Sequence, residues 1–489
     1  MAEFMDPAKT TGKWVGRGLW VMALLFVAFT QIRTLSEPQF WSHLASGRSL
    51  TASGVQEARN TLSYPMSDTP IRPPEWLFDV LLYRLWTIGG APMVTVVFGI
   101  LLIGALVLAS SSDRPGTPTP SSAAALVLAG WLTASQSAVN PETCTLFFAA
   151  LFLWLFSRPI PLLALAAATL IAQGVWAQCD RGFLLGPALG ALATAEFAWE
   201  RRHAGLTIDE RRRLLGLIGL TGGLLMVTFL HPVRGVHATI LEAWREPAHA
   251  GFQVWISPLA PFASAGVFRW LLSLALLIAA LGLALCNERL RLLSMAAALI
   301  GSFAVLRHVF FLPLFAVLSL PFMELAFRTI ADELRRFLRL RDSTTSLGGA
   351  VAVALIAVLS IVAFASGAFY RYVGSLSRFG FGVEERPYAS AATVLLDREN
   401  FARRPIHLPW DGGYLAWRYP QRRVFCDMRR GVYDQEFKRS VARWASGDVA
   451  LGLTLAARWN ADAFVINALW PTAGEIVRAA LSEGLSLIH

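Results

Sequence analysis

The chain has 489 residues, of which 55% are hydrophobic and only 16% are charged. Soluble domains carry about 25% charged residues, so this composition excludes an ordinary soluble enzyme. Together with repeated long apolar runs, it indicates a polytopic membrane protein. The formal net charge is +10. The basic residues are divided among loops on both faces, which argues against nucleic-acid binding and is compatible with anionic lipid.

About eleven apolar segments are long enough to be predicted as membrane spans. The first runs from about Trp14 to Ile32, and a long polar connector follows it to about Trp86. The other spans are predicted to begin near Gly90, Ser122, Thr143, Ile160, Gly182, Leu214, Val267, Leu292, Val309 and Leu347.

Lysine and arginine indicate the orientation of these spans. Basic residues precede the first span at 9, 13 and 17, and others crowd the loops at 201–213, 289–291 and 328–341. An alternating count puts all of these loops on the N-terminal side, and cytoplasmic loops are enriched in such residues. The prediction is therefore a cytoplasmic N-terminus and an extracytoplasmic C-terminal tail.

The domain boundaries follow from the change in composition after the last span. Residues 1–370 are predicted to form the transmembrane domain, with a first outer loop at 33–88 that contains an amphipathic interfacial helix at 75–86. Residues 371–489 are predicted to form a small soluble α/β domain, because short apolar strands alternate with helices there. The strands are predicted at 406–408, 424–426, 463–466 and 485–488, with Gly412 and Gly413 in a turn.

A motif directly after the first span carries a family resemblance. Residues 37–48 read EPQFWSHLASGR and resemble the DPDxWWHLxxGR signature of bacterial polytopic proteins related to the GT-C glycosyltransferases. Other elements of that family are similar, in the same order, to residues 60–65, 74–77, 176–183, 231–235, 307–308, 412–415 and 424–427. The series extends over nearly the whole chain.

The resemblance implies a GT-C-like fold in a bacterial cytoplasmic membrane, with catalytic loops outside and a sugar donor carried on a polyprenyl phosphate. In such enzymes a first-loop carboxylate acts as general base while cationic groups hold the phosphate leaving group. Glu37 is the positional match for the base, and Glu75 is the second carboxylate. The resemblance assigns substrate or phosphate binding to His43, Asp180, Arg181, Arg234, Arg307 and His308.

Departures from the family pattern leave two alternatives open. Gln39 stands where the signature has its second Asp, and Asp180 and Arg181 stand where His-Gly is expected. The chain is therefore either a lipid-linked-sugar glycosyltransferase or a catalytically degenerate scaffold or lipid-binding subunit that joins envelope-assembly proteins. A transporter is disfavoured, because no inverted repeat or mid-span acid is evident.

Each predicted site residue also has a structural explanation. Glu37 could orient its loop, Glu75 could be a first-turn acid favoured by the helix dipole, and Asp180 and Arg181 could form a local ion pair. Arg307 with His308 could anchor a span at the headgroups. No cofactor is firmly implied; a divalent metal is an open alternative, although nothing in the spacing of the histidines supports a metal site.

Overall fold

The transmembrane part of the protein is built from α-helices. The computed structural model describes residues 7–484 except 56–57, 113–117, 204, 232–265, 287–290, 340–341, 386–387, 389, 391–392, 394–395, 398–402, 430, 469–472 and 483. Its helices are α1 (Pro7–Gln31), α2 (Pro38–Ser53), α3 (Trp76–Ser110), α4 (Pro120–Thr133), α5 (Glu142–Phe156), α6 (Leu162–Cys179), α7 (Leu185–Arg201), α8 (Ile208–Thr228), α9 (Gly266–Leu285), α10 (Leu292–Arg307), α11 (Leu312–Phe337), α12 (Asp342–Ala365) and α13 (Ala368–Tyr372).

Each of the eleven predicted spans coincides with one of these helices. Seven helical segments in the described part of the chain are long and apolar enough to cross a membrane. The helices α4, α5 and α10 are also apolar but shorter, and α8 begins with a charged turn that is closed by a capping box between Thr207 and Glu210. A total of eleven spans stays a prediction.

Helix α2 lies where the sequence predicts a polar connector. Pro38 occupies its first turn, where a missing backbone N–H costs nothing. The helix buries Phe40, Trp41 and Leu44, although its sequence shows little amphipathic pattern. The Trp41 ring packs edge-on against Tyr414 at 5.2 Å between centroids. Helix α2 is therefore formed by packing against distant parts of the chain.

The predicted interfacial helix and the following span are both contained in α3. The helix is interrupted at Gly89 and Gly90, where Gly90 has a φ of 60°. This left-handed backbone conformation favours glycine, because a Cβ atom would be strained there. The prediction of a helix at 75–86 is thus confirmed, and the glycine pair separates it from the long apolar segment.

The tail combines two short parallel strands with helices. Strand β1 (Pro405–His407) pairs in parallel with β2 (Ala463–Val465), and Ile406 lies opposite Phe464. The tail helices are α14 (Pro409–Arg418), α15 (Gln435–Ala445), α16 (Val449–Arg458) and α17 (Ala473–Ser482). The predicted strand at 485–488 lies outside the described residues.

The predicted strand at 424–426 is wrong. Val424 forms only an isolated bridge, with Ser63 of the first outer loop. The next backbone N–H, of Phe425, donates to the Nε2 atom of His407 at 3.0 Å instead of to a strand carbonyl. The His407 side chain therefore accepts the hydrogen bond that the carbonyl of a neighbouring strand would accept in a β-ladder.

The predicted turn at Gly412 and Gly413 is also wrong, because both glycines lie inside α14. A Cβ atom at Gly412 would lie 1.7 Å from the Cys426 carbonyl oxygen, and one at Gly413 would lie 2.4 Å from the Ser42 hydroxyl oxygen. Glycine is required here by close packing of α14 against the first outer loop and the tail.

Candidate functional site

Glu37 stands at the junction between α1 and α2. It occupies the N-cap position of α2, and its Oε1 atom lies 3.0 Å from the Nη2 atom of Arg33. The backbone N–H of Ser36 also donates to its carboxylate, at 3.2 Å. The Glu37 side chain is 36% exposed. A carboxylate that is held in place and still partly open is suited to accept a proton from a substrate.

Arg33 is a residue that the sequence analysis missed. It is buried, and its Nη1 atom donates to the Ala134 carbonyl at 3.2 Å, so its guanidinium is held from two sides. The negative charge of Glu37 affects the pKa values of two buried tyrosines. Burial, reinforced by Glu37, raises the pKa of Tyr388 well above its usual value, and burial raises the pKa of Tyr370 to about 12. The spacing of four residues gives no signal for this contact, because the segment between α1 and α2 is not helical.

Glu75 is buried, and Arg181 is its ionic partner. The Nε atom of Arg181 lies 3.4 Å from Oε1 of Glu75, which is only 4% exposed. Glu75 occupies the N-cap position of α3 but makes no capping hydrogen bond. Asp180 does not pair locally with Arg181; its carboxylate accepts from the Gly182 N–H at 3.0 Å and from the Thr145 hydroxyl. This group of residues joins the start of α3 to the end of α6.

His43 binds an acid that the sequence analysis did not single out. Its Nδ1 atom lies 2.6 Å from Oδ1 of Asp79, and the Ser46 hydroxyl donates to Oδ2 at 2.6 Å. Asp79 is buried and lies one helical turn after Glu75. A Cβ atom at Gly47 would lie 2.0 Å from the Asp79 carbonyl oxygen. His43 therefore links α2 to α3 where the two helices approach each other closely.

The remaining predicted residues lie at other helix ends. Arg307 is exposed at the end of α10, with its guanidinium 5.5 Å from the Phe303 ring. His308 is buried, and its Nδ1 atom accepts from the Phe310 N–H at 2.9 Å. His231 is buried just after α8. Arg234 lies outside the described residues.

The contacts therefore divide the predicted residues into three groups. Glu37 is paired with Arg33, whereas Glu75 and Arg181 adjoin the Asp79–His43 pair. Arg307 and His308 form the third group, at the end of α10. Among the residues that the structure describes, no three His, Cys, Asp or Glu side chains are placed to hold a metal ion. A divalent metal stays an open alternative.

A further cluster connects the first outer loop to the tail. Asp427 is buried, and its two carboxylate oxygens share the Nε–H of Arg429, at 3.0 and 2.9 Å. The Nη2 atom of the same arginine donates to Asn60 at 2.8 Å. Asp427, Arg429 and Asn60 are thus satisfied by one another, and they hold distant segments together.

The architecture is similar to that of a protein of known structure. No family model matches the chain, and a search of curated proteins finds no match. Among solved structures, ArnT from Cupriavidus metallidurans, crystallised with undecaprenyl phosphate, is similar at a TM-score of 0.52. The two sequences are 17% identical, and the likeness covers 97% of this chain and 95% of that one. At this identity the likeness establishes the fold, and the chain is accordingly a polytopic helical membrane protein with the fold of ArnT.

Proposed function

We propose that the chain is a membrane glycosyltransferase that moves a sugar from a polyprenyl-phosphate-linked donor to a cell-envelope acceptor. The observation that carries the proposal is the Glu37 carboxylate, which is partly exposed and fixed by Arg33 directly after the first span. It is supported by the likeness over nearly the whole chain to a protein that binds undecaprenyl phosphate.

In the proposed reaction, Glu37 accepts the proton of an acceptor hydroxyl. The hydroxyl oxygen forms a bond to the anomeric carbon of the donor, and the bond from that carbon to the phosphate oxygen breaks. The electron pair leaves with the polyprenyl phosphate, whose charge requires cationic partners. The exposed guanidinium of Arg307 is suited to this role, because its planar fork matches phosphate oxygens; Arg234 is the second candidate.

The roles of Glu75 and His43 are revised in this proposal. Glu75 is buried against Arg181, and His43 is bound to Asp79, so we assign both pairs to the positioning of α3. The basic residues of the loops at 201–213, 289–291 and 328–341 support a cytoplasmic N-terminus, and the proposed reaction then takes place in the extracytoplasmic leaflet.

A direct test uses the purified chain in lipid nanodiscs. Donors that carry different sugars on undecaprenyl phosphate are mixed with a bacterial envelope extract, and released undecaprenyl phosphate is quantified by mass spectrometry. The Glu37→Gln variant should release it about 10²-fold more slowly or worse, because general-base catalysis contributes roughly that much. The matched control is Glu436→Gln, which makes the same change at an 84% exposed side chain of the tail and should leave the rate unchanged.

The second candidate function is a non-catalytic scaffold or lipid-binding subunit. The observation that favours it is the burial of Glu75 and the engagement of His43, which leave two motif residues occupied in structural contacts. This alternative predicts no release from any donor, retained binding of undecaprenyl phosphate, and co-purification of an envelope-assembly protein. Equal release by the native chain and Glu37→Gln would refute the assignment of the base.

A further inference from the structure

A cavity of about 290 Å³ lies between the first outer loop and the tail. It is near the lower end of the volumes of small-molecule sites, which run from about 300 to 1,000 Å³. None of the residues predicted for the catalytic site lines it. Its lining residues are Tyr64, Ser67, Arg403, Arg404, Arg423 and Trp459.

Hydrogen bonds to the backbone hold the walls of this cavity in place. The N–H of Tyr64 donates to the Val424 carbonyl at 2.9 Å, and its hydroxyl donates to the Pro405 carbonyl at 3.1 Å. On the opposite side, the Asp462 carboxylate accepts from the backbone N–H of Arg404 at 3.0 Å. The site is therefore preformed, which lowers the cost of ordering it when a ligand binds.

The cavity has more positive than negative charge. Three arginines line it, and Asp68 and Asp462 lie beside them. Arg423 pairs with Asp68 through two contacts of 3.0 Å, but these side chains are 41% and 57% exposed. The pair is bidentate, but both side chains are exposed to solvent, so an anionic ligand competes with the Asp68 carboxylate for Arg423.

Two aromatic side chains complete the lining. The Arg404 guanidinium lies 6.0 Å from the centre of the Tyr64 ring, which leaves the arginine fork next to an aromatic surface. Trp459 provides the second aromatic surface.

We propose that this cavity is a binding site for an anionic sugar, one that carries a phosphate or a carboxylate. The arginines bind the charged group through paired hydrogen bonds, and the aromatic rings of Tyr64 and Trp459 pack against the apolar face of the sugar. This site is separate from the proposed transferase chemistry, and its occupancy does not require turnover.

The test measures binding to the full chain in detergent micelles that contain no anionic lipid. The calorimetric probes are glucose 1-phosphate, glucuronic acid, glucose and inorganic phosphate. Both anionic sugars should bind at least about tenfold more tightly than glucose or phosphate alone. Arg404→Gln should weaken their binding about tenfold, since a hydrogen bond to a charged group is worth about that much, and Arg404→Lys should fall between the two.

Arg439→Gln is the matched control, because Arg439 is exposed on α15 and does not line the cavity; it should bind like the native chain. Octyl glucuronide distinguishes the sources: tighter binding than glucuronic acid assigns a glycolipid, and equal binding assigns a free sugar. The proposal is overturned if glucose binds as well as the acids, if Arg404→Gln matches Arg439→Gln, or if no probe binds. Glu37→Gln should bind the probes normally, which separates this result from the transferase proposal.

Discussion

The Nη2 atom of Arg33 lies 3.0 Å from Oε1 of Glu37, and this contact joins the end of α1 to the start of α2. Arg33 is buried and also donates to the Ala134 carbonyl just after α4. The arginine thus sets the position of the carboxylate relative to the helices beneath it. We regard Arg33 as a positioning residue for Glu37.

Replacing Arg33 should lower the stability of the folded chain. Arg33→Gln should lower the free energy of unfolding by about 1 to 3 kcal/mol, because the buried Ala134 carbonyl loses its donor. Denaturant titration in mixed micelles measures this loss. Arg84→Gln, at an exposed position of α3, should have little effect; an equal loss in the two variants would contradict the role of Arg33.

The ion pair between Glu75 and Arg181 should contribute a measurable coupling energy. Either Glu75→Gln or Arg181→Gln should cost about 3 kcal/mol, at the low end for buried pairs, because Arg181 is 21% exposed. The double variant should lose clearly less than the sum. The same cycle at Asp209 and Arg212, an exposed pair, should show no measurable coupling. Additive losses at Glu75 and Arg181 would show that the contact is not energetically important.

Glycine at position 47 should be required for the close approach of α2 and α3. Gly47→Ala places a Cβ atom 2.0 Å from the Asp79 carbonyl oxygen, so it should reduce the free energy of unfolding by about 1 to 3 kcal/mol. Gly18→Ala is the matched control, since no atom lies within 4 Å of a Cβ there. That change should be neutral or slightly stabilising, because alanine favours helices. Thermal unfolding of both variants, in one detergent, decides between these outcomes.

His407 should make the stability of the tail depend on pH. Burial lowers its pKa from 6.5 to about 4, against the opposing effects of the Leu408 carbonyl and Asp427. Both ring nitrogens are satisfied in the neutral form, because Nδ1 donates to Leu408 and Nε2 accepts from Phe425. Between pH 4 and 6.5 the unfolded chain binds more protons, so stability rises with pH.

Acidification from above pH 6.5 to below pH 4 should therefore cost about 3 kcal/mol at this residue. Unfolding temperatures of the native chain and of His407→Gln, recorded across this range, provide the measurement. The glutamine variant does not titrate and should show a shallower dependence. Parallel pH profiles for the two proteins would rule out the histidine as the cause.

The sequence predicts the helical membrane architecture well because spans depend on local apolar length. It does not predict α2, whose burial depends on Trp41 reaching Tyr414 in the tail. The same limit applies to the site. The contact between Arg33 and Glu37 lies in a non-helical segment and is set by tertiary packing, as are the partners of Glu75 and His43. Local propensity assigns the glycines of α14 to a turn, whereas their close contacts form only in the folded chain.

The hydrogen bond between Asn60 and Arg429 joins residues that are 369 positions apart. A ribosome that adds about 5 to 20 residues per second needs roughly 20 to 70 s to make the intervening chain. During that time Asn60 of the first outer loop has been synthesised, whereas its partner Arg429 has not. The contact between the first outer loop and the tail can therefore form only when synthesis of the chain is nearly complete.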